Sequence, residues 1–111
     1  MGSFDIVKEI VEKAKTLPDL SSELSGFNKS FQIKPSDSDA FYVEIKDGSI
    51  NISPGEIQGA SATVMATDQI LTEIFSGQQD AVKAFMTGKL KVSGDIFSAQ
   101  KLTGIMSKFR K

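Results

Sequence analysis

The chain is predicted to form one α+β domain, with helices packed on one face of a five-stranded, mostly antiparallel sheet. Two observations support this prediction. Apolar residues recur every three or four positions near both ends of the chain, as they do in amphipathic helices. Between residues 27 and 66 they alternate with polar residues, as in half-buried strands. The 111 residues suit a single core, and no linker or internal repeat divides residues 1–111.

The first helix is predicted to begin at an N-cap, Ser3, and to run to Leu17, where Pro18 ends it. The segment 20–25 is polar and is predicted to be a short turn. The apolar stripe of the helix consists of Val7, Ile10, Val11, Ala14 and Leu17.

Three strands are predicted to follow as a meander. Residues 27–33 alternate first, and residues 41–45 alternate next. Asp47-Gly48 is a strong signal for a two-residue hairpin, and the return strand begins at Ile50. Pro54-Gly55 then breaks the pattern.

The second half of the chain alternates between strands and helices. A fourth strand is predicted over residues 61–66, and Thr67 can cap the helix after it. Asp80 begins a short helix, residues 89–93 form a small strand between two glycines, and Asp95 caps the last helix.

The residue inventory argues against catalysis. The chain has no His and no Cys, which removes the commonest general base, the thiol nucleophile and most zinc sites. Asp37 and Asp39 share a polar loop without the pattern of a calcium site, so solvation is preferred. Phosphate-loop and nucleic-acid signatures are absent. We therefore predict no catalytic residue, no metal site, no cofactor and no nucleic-acid partner.

Large apolar side chains crowd the C-terminal half, where they have two interpretations. The chain holds eight Phe and four Met. A stripe of such residues at helical spacing is usually core, but it also suits the adaptable lining of a cavity for an apolar ligand. Periodicity leaves both open. The crowded residues are Phe75, Phe85, Met86, Phe97, Ile105, Met106 and Phe109.

Charge is divided unevenly along the chain. Residues 1–80 carry 6 Lys against 13 Asp and Glu, a net charge of −7, whereas residues 81–111 carry a net charge of +6. This asymmetry favours attraction to anionic lipid or to a phosphate-bearing ligand, and a transient anionic membrane surface is the expected partner of the C-terminal helix. A solvated helix face with a basic tail is the alternative.

Two segments resemble one protein family. Residues 85–95, Phe-Met-Thr-Gly-Lys-Leu-Lys-Val-Ser-Gly-Asp, are similar to the signature of the sterol carrier protein-2 family. Residues 62–71 resemble that family's fourth strand and following helix, and Gly77 resembles the next turn. Ala99 with Lys101-Leu102 falls where the last helix of the family carries Ala-x-Lys-Leu.

The resemblance implies an apolar tunnel beneath the C-terminal helix and a non-catalytic carrier of fatty acids, fatty acyl-CoAs, sterols or similar lipids. Leu102 and Met106 are expected to share the tunnel face of the last helix, and Gln100 or Lys101 to hold a headgroup. An accessory module that presents lipid to a separate enzyme, or mediates dimerisation, is the alternative. The residues expected to contact ligand are Phe31, Phe75, Phe85, Met86, Leu90, Val92, Ile96, Phe97, Ala99, Gln100, Leu102, Ile105, Met106 and Phe109.

Two departures from the family pattern carry expectations of their own. Phe97-Ser98 replaces a common Gly-Leu, which is expected to narrow the tunnel mouth. Many relatives end in a Ser-Lys-Leu-type tripeptide, which directs a protein to the peroxisome. The chain ends in Phe109-Arg110-Lys111 instead, so a cytoplasmic location is expected. A monomer is expected, with a dimer as the alternative. Gly104, inside the last helix, is interpreted either as a weak point that lets a lid loosen or as a close contact with the sheet.

Overall fold

The structure, a computed structural model, describes residues 2–110. Its elements are α1 (Ser3–Ala14), α2 (Leu20–Glu23), β1 (Lys29–Pro35), β2 (Phe41–Lys46), β3 (Ser49–Pro54), β4 (Ala62–Ala66), α3 (Asp68–Ser76), α4 (Ala81–Met86), β5 (Lys91–Gly94) and α5 (Ile96–Arg110). The strand order is β3-β2-β1-β4-β5. Only β1 and β4 run parallel, and the other neighbouring strands are antiparallel. The predicted five-stranded, mostly antiparallel sheet is confirmed.

One face of this sheet carries the helices. In β2 the side chains of Phe41, Val43 and Ile45 are buried, whereas the residues between them reach solvent. Helices α1, α3 and α5 contact one another above that face, and their apolar stripes complete the core. Across the described range 2–110, no helix is long and apolar enough to cross a membrane.

Local signals in the sequence explain where several elements begin. At the start of α3, Thr67 Oγ1 accepts a hydrogen bond of 3.2 Å from a first-turn amide. Asp80 Oδ1 does the same at 2.9 Å for α4. Asp47 and Gly48 both adopt positive φ, 52° and 78°, as a type I′ hairpin requires. The predicted caps Thr67 and Asp80 and the predicted hairpin are confirmed.

The ends of α1 differ from the prediction. Gly2 is the N-cap, and Ser3 is already helical. The amide and hydroxyl of Ser3 both donate to Asp68 Oδ1, at 3.0 and 2.7 Å, because the start of α3 lies beside the start of α1. The helix ends at Ala14, and Leu17 is exposed beyond it, since tight turn-like hydrogen bonds replace the helical ones before Pro18.

The segment predicted to be a turn, residues 20–25, contains the short helix α2. Leu24, directly after this helix, is 0% exposed. Burial of one leucine therefore orders a stretch whose composition is otherwise polar, a tertiary effect that local propensity does not report. Strand β1 begins at Lys29 rather than Phe27, and β5 begins at Lys91 rather than Lys89.

Candidate lipid-binding cavity

An apolar cavity of about 40 Å³ lies between the sheet and helices α3, α4 and α5. It has room for only a few water-sized molecules. Eight of the residues expected to contact ligand line this cavity. They lie in β5 and in the segments that precede and follow it in the sequence. These residues are Phe75, Phe85, Leu90, Val92, Ile96, Ala99, Gln100 and Leu102.

The other expected ligand residues lie elsewhere. Phe31, Met106 and Phe109 are buried in the core, and Ile105 packs partly against it. Met86 and Phe97 are 79% and 84% exposed. Contact of these six residues with a lipid stays a prediction, and it would require the cavity to extend beyond its present walls.

Phe97 does not narrow the mouth of the cavity, contrary to the expectation from the family pattern. Its side chain points to solvent from the first turn of α5, where no neighbouring element covers it. Ser98, the other residue of that departure, is buried and hydrogen-bonded to Asp95.

Six residues that line the cavity were not predicted from the sequence, although strand pairing or helical spacing could have indicated some of them. Val64 is the cross-strand partner of Val92, so the prediction that Val92 contacts ligand could have been extended to Val64. Leu71 and Ile74 share the apolar stripe of Phe75 on α3. The remaining side chains gave only a weak signal because they lie on a short helix or carry a hydroxyl. The six residues are Val64, Leu71, Ile74, Ala81, Val82 and Thr103.

Among residues 2–110, no ionisable side chain lines the cavity, and only Gln100 and Thr103 contribute polar side-chain atoms to its wall. The Thr103 hydroxyl donates to the Gln100 carbonyl at 2.8 Å, within α5 itself. Lys101 does not line the cavity, because its Nζ lies 4.5 Å above the ring centroid of Phe27. The cavity therefore suits the apolar part of a ligand, with Gln100 as the polar group beside it.

The N-terminal end of α5 is fixed over the cavity by its cap. Ser98 donates to Asp95 through its hydroxyl at 2.6 Å and through its amide at 3.1 Å. These two hydrogen bonds, helped by Lys29 Nζ at 3.5 Å, lower the pKa of Asp95. Gly94 precedes the cap with a φ of 89°, and a Cβ there would lie 2.6 Å from the Ser61 carbonyl oxygen. Only glycine fits this approach to β4.

The C-terminal end of α5 is held by polar contacts. Arg110 donates to the Phe75 carbonyl at the end of α3, at 3.2 Å. Lys108 forms an ion pair of 2.7 Å with Glu23. The basic stretch that was expected to face a membrane is thus partly engaged within the molecule, and its last residue, Lys111, lies outside the described residues.

Helix α4, by contrast, is held loosely. It has six residues, and only Ala84 is buried among them. Its three largest apolar side chains, Val82, Phe85 and Met86, are exposed. Because few buried contacts give an element low local stability, we expect α4 to be the wall of the cavity that opens most easily.

These features define a class of small α+β domain in which a sheet and its covering helices enclose an apolar cavity. The chain belongs to the SCP-2 sterol transfer family, whose profile matches residues 7–107. The resemblance seen in residues 62–71 and 85–95 is therefore confirmed.

Similar proteins include much longer chains and a solved structure of similar length. The chain is 34% identical over 70 residues to peroxisomal multifunctional enzyme type 2 of Mus musculus, covering 62% of this chain and 10% of that protein. It is 27% identical over 103 residues to sterol carrier protein 2 of Oryctolagus cuniculus, covering 90% and 19%. The solution structure of palmitated SCP2L2 from Aedes aegypti has a TM-score of 0.72 at 19% identity, covering 96% of this chain and 95% of that one. The last comparison shows the fold alone.

Proposed function

We propose that the chain is a non-catalytic lipid carrier. It binds the apolar part of a long-chain fatty acid, fatty acyl-CoA, sterol or similar lipid and moves it between membranes or to enzymes. The observation that carries this proposal is the uncharged, almost wholly apolar cavity between the sheet and α3, α4 and α5. Membership of the SCP-2 sterol transfer family and the similarity to a palmitated protein support it.

Binding of an acyl chain requires this cavity to enlarge, because about 40 Å³ holds only a few water-sized molecules. The driving force is sufficient. Each buried CH₂ group contributes roughly 0.8 kcal/mol, so a chain of about 16 carbons offers roughly 12 kcal/mol before the costs of association and ordering. Displacement of α4 enlarges the cavity at the smallest loss of packing, since only Ala84 of that helix is buried.

Titration with a fluorescent acyl probe tests this function. The unmodified chain should saturate near one probe per molecule. Ala81→Trp places a large side chain in the cavity wall and should weaken probe binding about tenfold, the equivalent of losing nearly two buried CH₂ groups. Met86→Trp adds the same side chain to the same helix at an exposed position and serves as the matched control.

Equal probe binding by both variants, or no saturable binding by the unmodified chain, would contradict the proposed site. Native mass spectrometry of the purified protein provides an independent measurement, since a carrier should retain an acyl lipid. The cytoplasmic location stays a prediction of the sequence, which cell fractionation would test.

An accessory role is the second candidate. The chain spans only 10% of the length of the mouse multifunctional enzyme and 19% of the rabbit sterol carrier protein. A domain of this kind within or beside an enzyme presents lipid to it. Transfer of a labelled lipid between vesicles by the chain alone supports the carrier. Transfer that requires an added enzyme supports the accessory role.

A further inference from the structure

An exposed set of large apolar side chains surrounds the mouth of the cavity. We call these residues, which come from α4 and the first turn of α5, the apolar rim. Within residues 2–110, the only other large apolar side chain classed as exposed is Leu17. The members of the rim are Val82, Phe85, Met86, Ile96 and Phe97.

The rim is continuous with the cavity. Val82, Phe85 and Ile96 line the cavity and are also exposed, so their outer surfaces form its edge. Met86 and Phe97 extend farther into solvent and do not line it. A helix of a globular protein normally buries its largest apolar residues, whereas α4 buries only Ala84. Clustered exposed apolar side chains mark a surface that contacts a partner.

The charge near the rim identifies the kind of partner. Residues 81–101 carry four Lys, but Lys101 lies over the ring of Phe27, so the lysines that the structure places beside α4 are Lys83 and Lys89. Lys83 and Lys89 border one cleft beside α4, together with Asp80, whose carboxylate caps that helix. Asp95 is already paired with Lys29. Apolar side chains flanked by lysines are the composition of segments that bind at the surface of anionic bilayers.

We propose that the apolar rim inserts into the headgroup region of an anionic bilayer, so that the mouth of the cavity faces the lipid. This inference rests on the proposed carrier function and places the membrane contact at the start of α5 rather than at its basic C-terminal end. A second copy of the chain is a poorer occupant. A two-fold dimer through the rim brings the same patch to itself, and Lys83 and Lys89 of both copies then repel.

Co-sedimentation with phosphatidylcholine vesicles, with and without phosphatidylglycerol, tests this surface. The double variant Met86→Gln, Phe97→Ser changes only the most exposed rim residues. It should reduce partition onto phosphatidylglycerol-containing vesicles at least about tenfold. Leu17→Ser removes an exposed apolar side chain beyond α1 and should change partition less than about twofold.

Probe binding in vesicle-free buffer separates this inference from the proposed function. The double variant should retain saturable binding of the acyl probe, because the eight expected ligand residues that line the cavity are unchanged in it. If the unmodified chain binds vesicles through the rim but takes no probe, the docking surface stands and the carrier function fails.

Three outcomes would overturn the docking surface. The first is that the unmodified chain does not bind vesicles, and the second is unchanged partition of the double variant. The third is a dimer of the unmodified chain in sedimentation velocity that the double variant dissociates, which would make the rim an interface between copies.

Discussion

Leu102 and Met106 lie four residues apart on α5, and each is 1% exposed, yet only Leu102 reaches the cavity. The cavity lies under the first half of the helix, where Ile96, Ala99 and Thr103 also line it. Met106 belongs to the second half, which packs in the core. Helical spacing correctly places both residues on the inner face, but it carries no information on where along that face the packing leaves space.

Met106→Trp is therefore expected to destabilise the protein rather than block the ligand selectively. Overpacking a dense core costs about 1–3 kcal/mol, so the free energy of unfolding in urea should fall by that amount. Ile105→Trp, at the neighbouring half-buried position, should cost less. A stable Met106→Trp variant that no longer binds the acyl probe would show instead that the cavity extends to this residue.

At the scale of the elements, periodicity and local hydrogen bonding predicted the five strands and the caps of α3 and α4, but not the ends of α1. The strands and the Asp47-Gly48 hairpin follow from an alternation of period two and from backbone requirements that few residues meet. The short helix α2 was missed because its stability comes from the tertiary burial of Leu24, the residue directly after it. The outward direction of Phe97 was missed because neighbouring elements, and not the sequence around it, decide which faces are covered.

The sequence also left open whether the apolar crowding is core or cavity, and both interpretations hold for different residues. Met106 and Phe109 are buried away from the cavity, whereas Phe75 and Phe85 line it. The distinction depends on how closely the helices approach the sheet, which is a property of the packed elements. Ala81 and Val82, which line the cavity, could not be predicted for the same reason. The pattern of a six-residue helix does not indicate which neighbouring element the helix will pack against.

The element expected to open for the ligand is α4. Hydrogen exchange followed by mass spectrometry should show faster exchange in α4 than in α1, because α4 buries only Ala84 while α1 buries five residues. Palmitate should slow exchange in α4 more than in the C-terminal half of α5. Protection of the C-terminal half of α5 alone would contradict this and move the opening to Gly104.

Gly104 provides the matched variant for that experiment. Its position is exposed, and a Cβ there would meet nothing within 4 Å, so the close-contact interpretation of this glycine is wrong. Gly104→Ala should stabilise the protein by about 0.5–1 kcal/mol through helix propensity. If α4 is the wall that opens, the same substitution leaves the rate of probe release unchanged.

At the scale of the whole molecule, charge and apolar exposure coincide at one end of α5. Because an α-helix rises about 1.5 Å per residue, the start and the end of α5 lie about 21 Å apart. That separation exceeds the Debye length of about 8 Å at physiological salt, so the two ends act as separate sites. Removing residues 108–111 would also break the Lys108–Glu23 ion pair and the Arg110 contact with α3, which makes truncation an ambiguous test of membrane attraction.

Charge reversal beside the rim is the cleaner experiment. Lys83→Glu with Lys89→Glu should slow lipid transfer to vesicles containing phosphatidylglycerol at least about tenfold at low salt, since each cation near an anionic surface contributes about 1 kcal/mol. Lys8→Glu with Lys15→Glu changes net charge equally on the exposed surface at α1 and serves as the control. Raising the salt should remove the difference between the two pairs, because screening weakens the attraction to the membrane and leaves the cavity unaffected. Equal slowing by both pairs would mean that net charge, rather than the rim, governs the approach to the membrane.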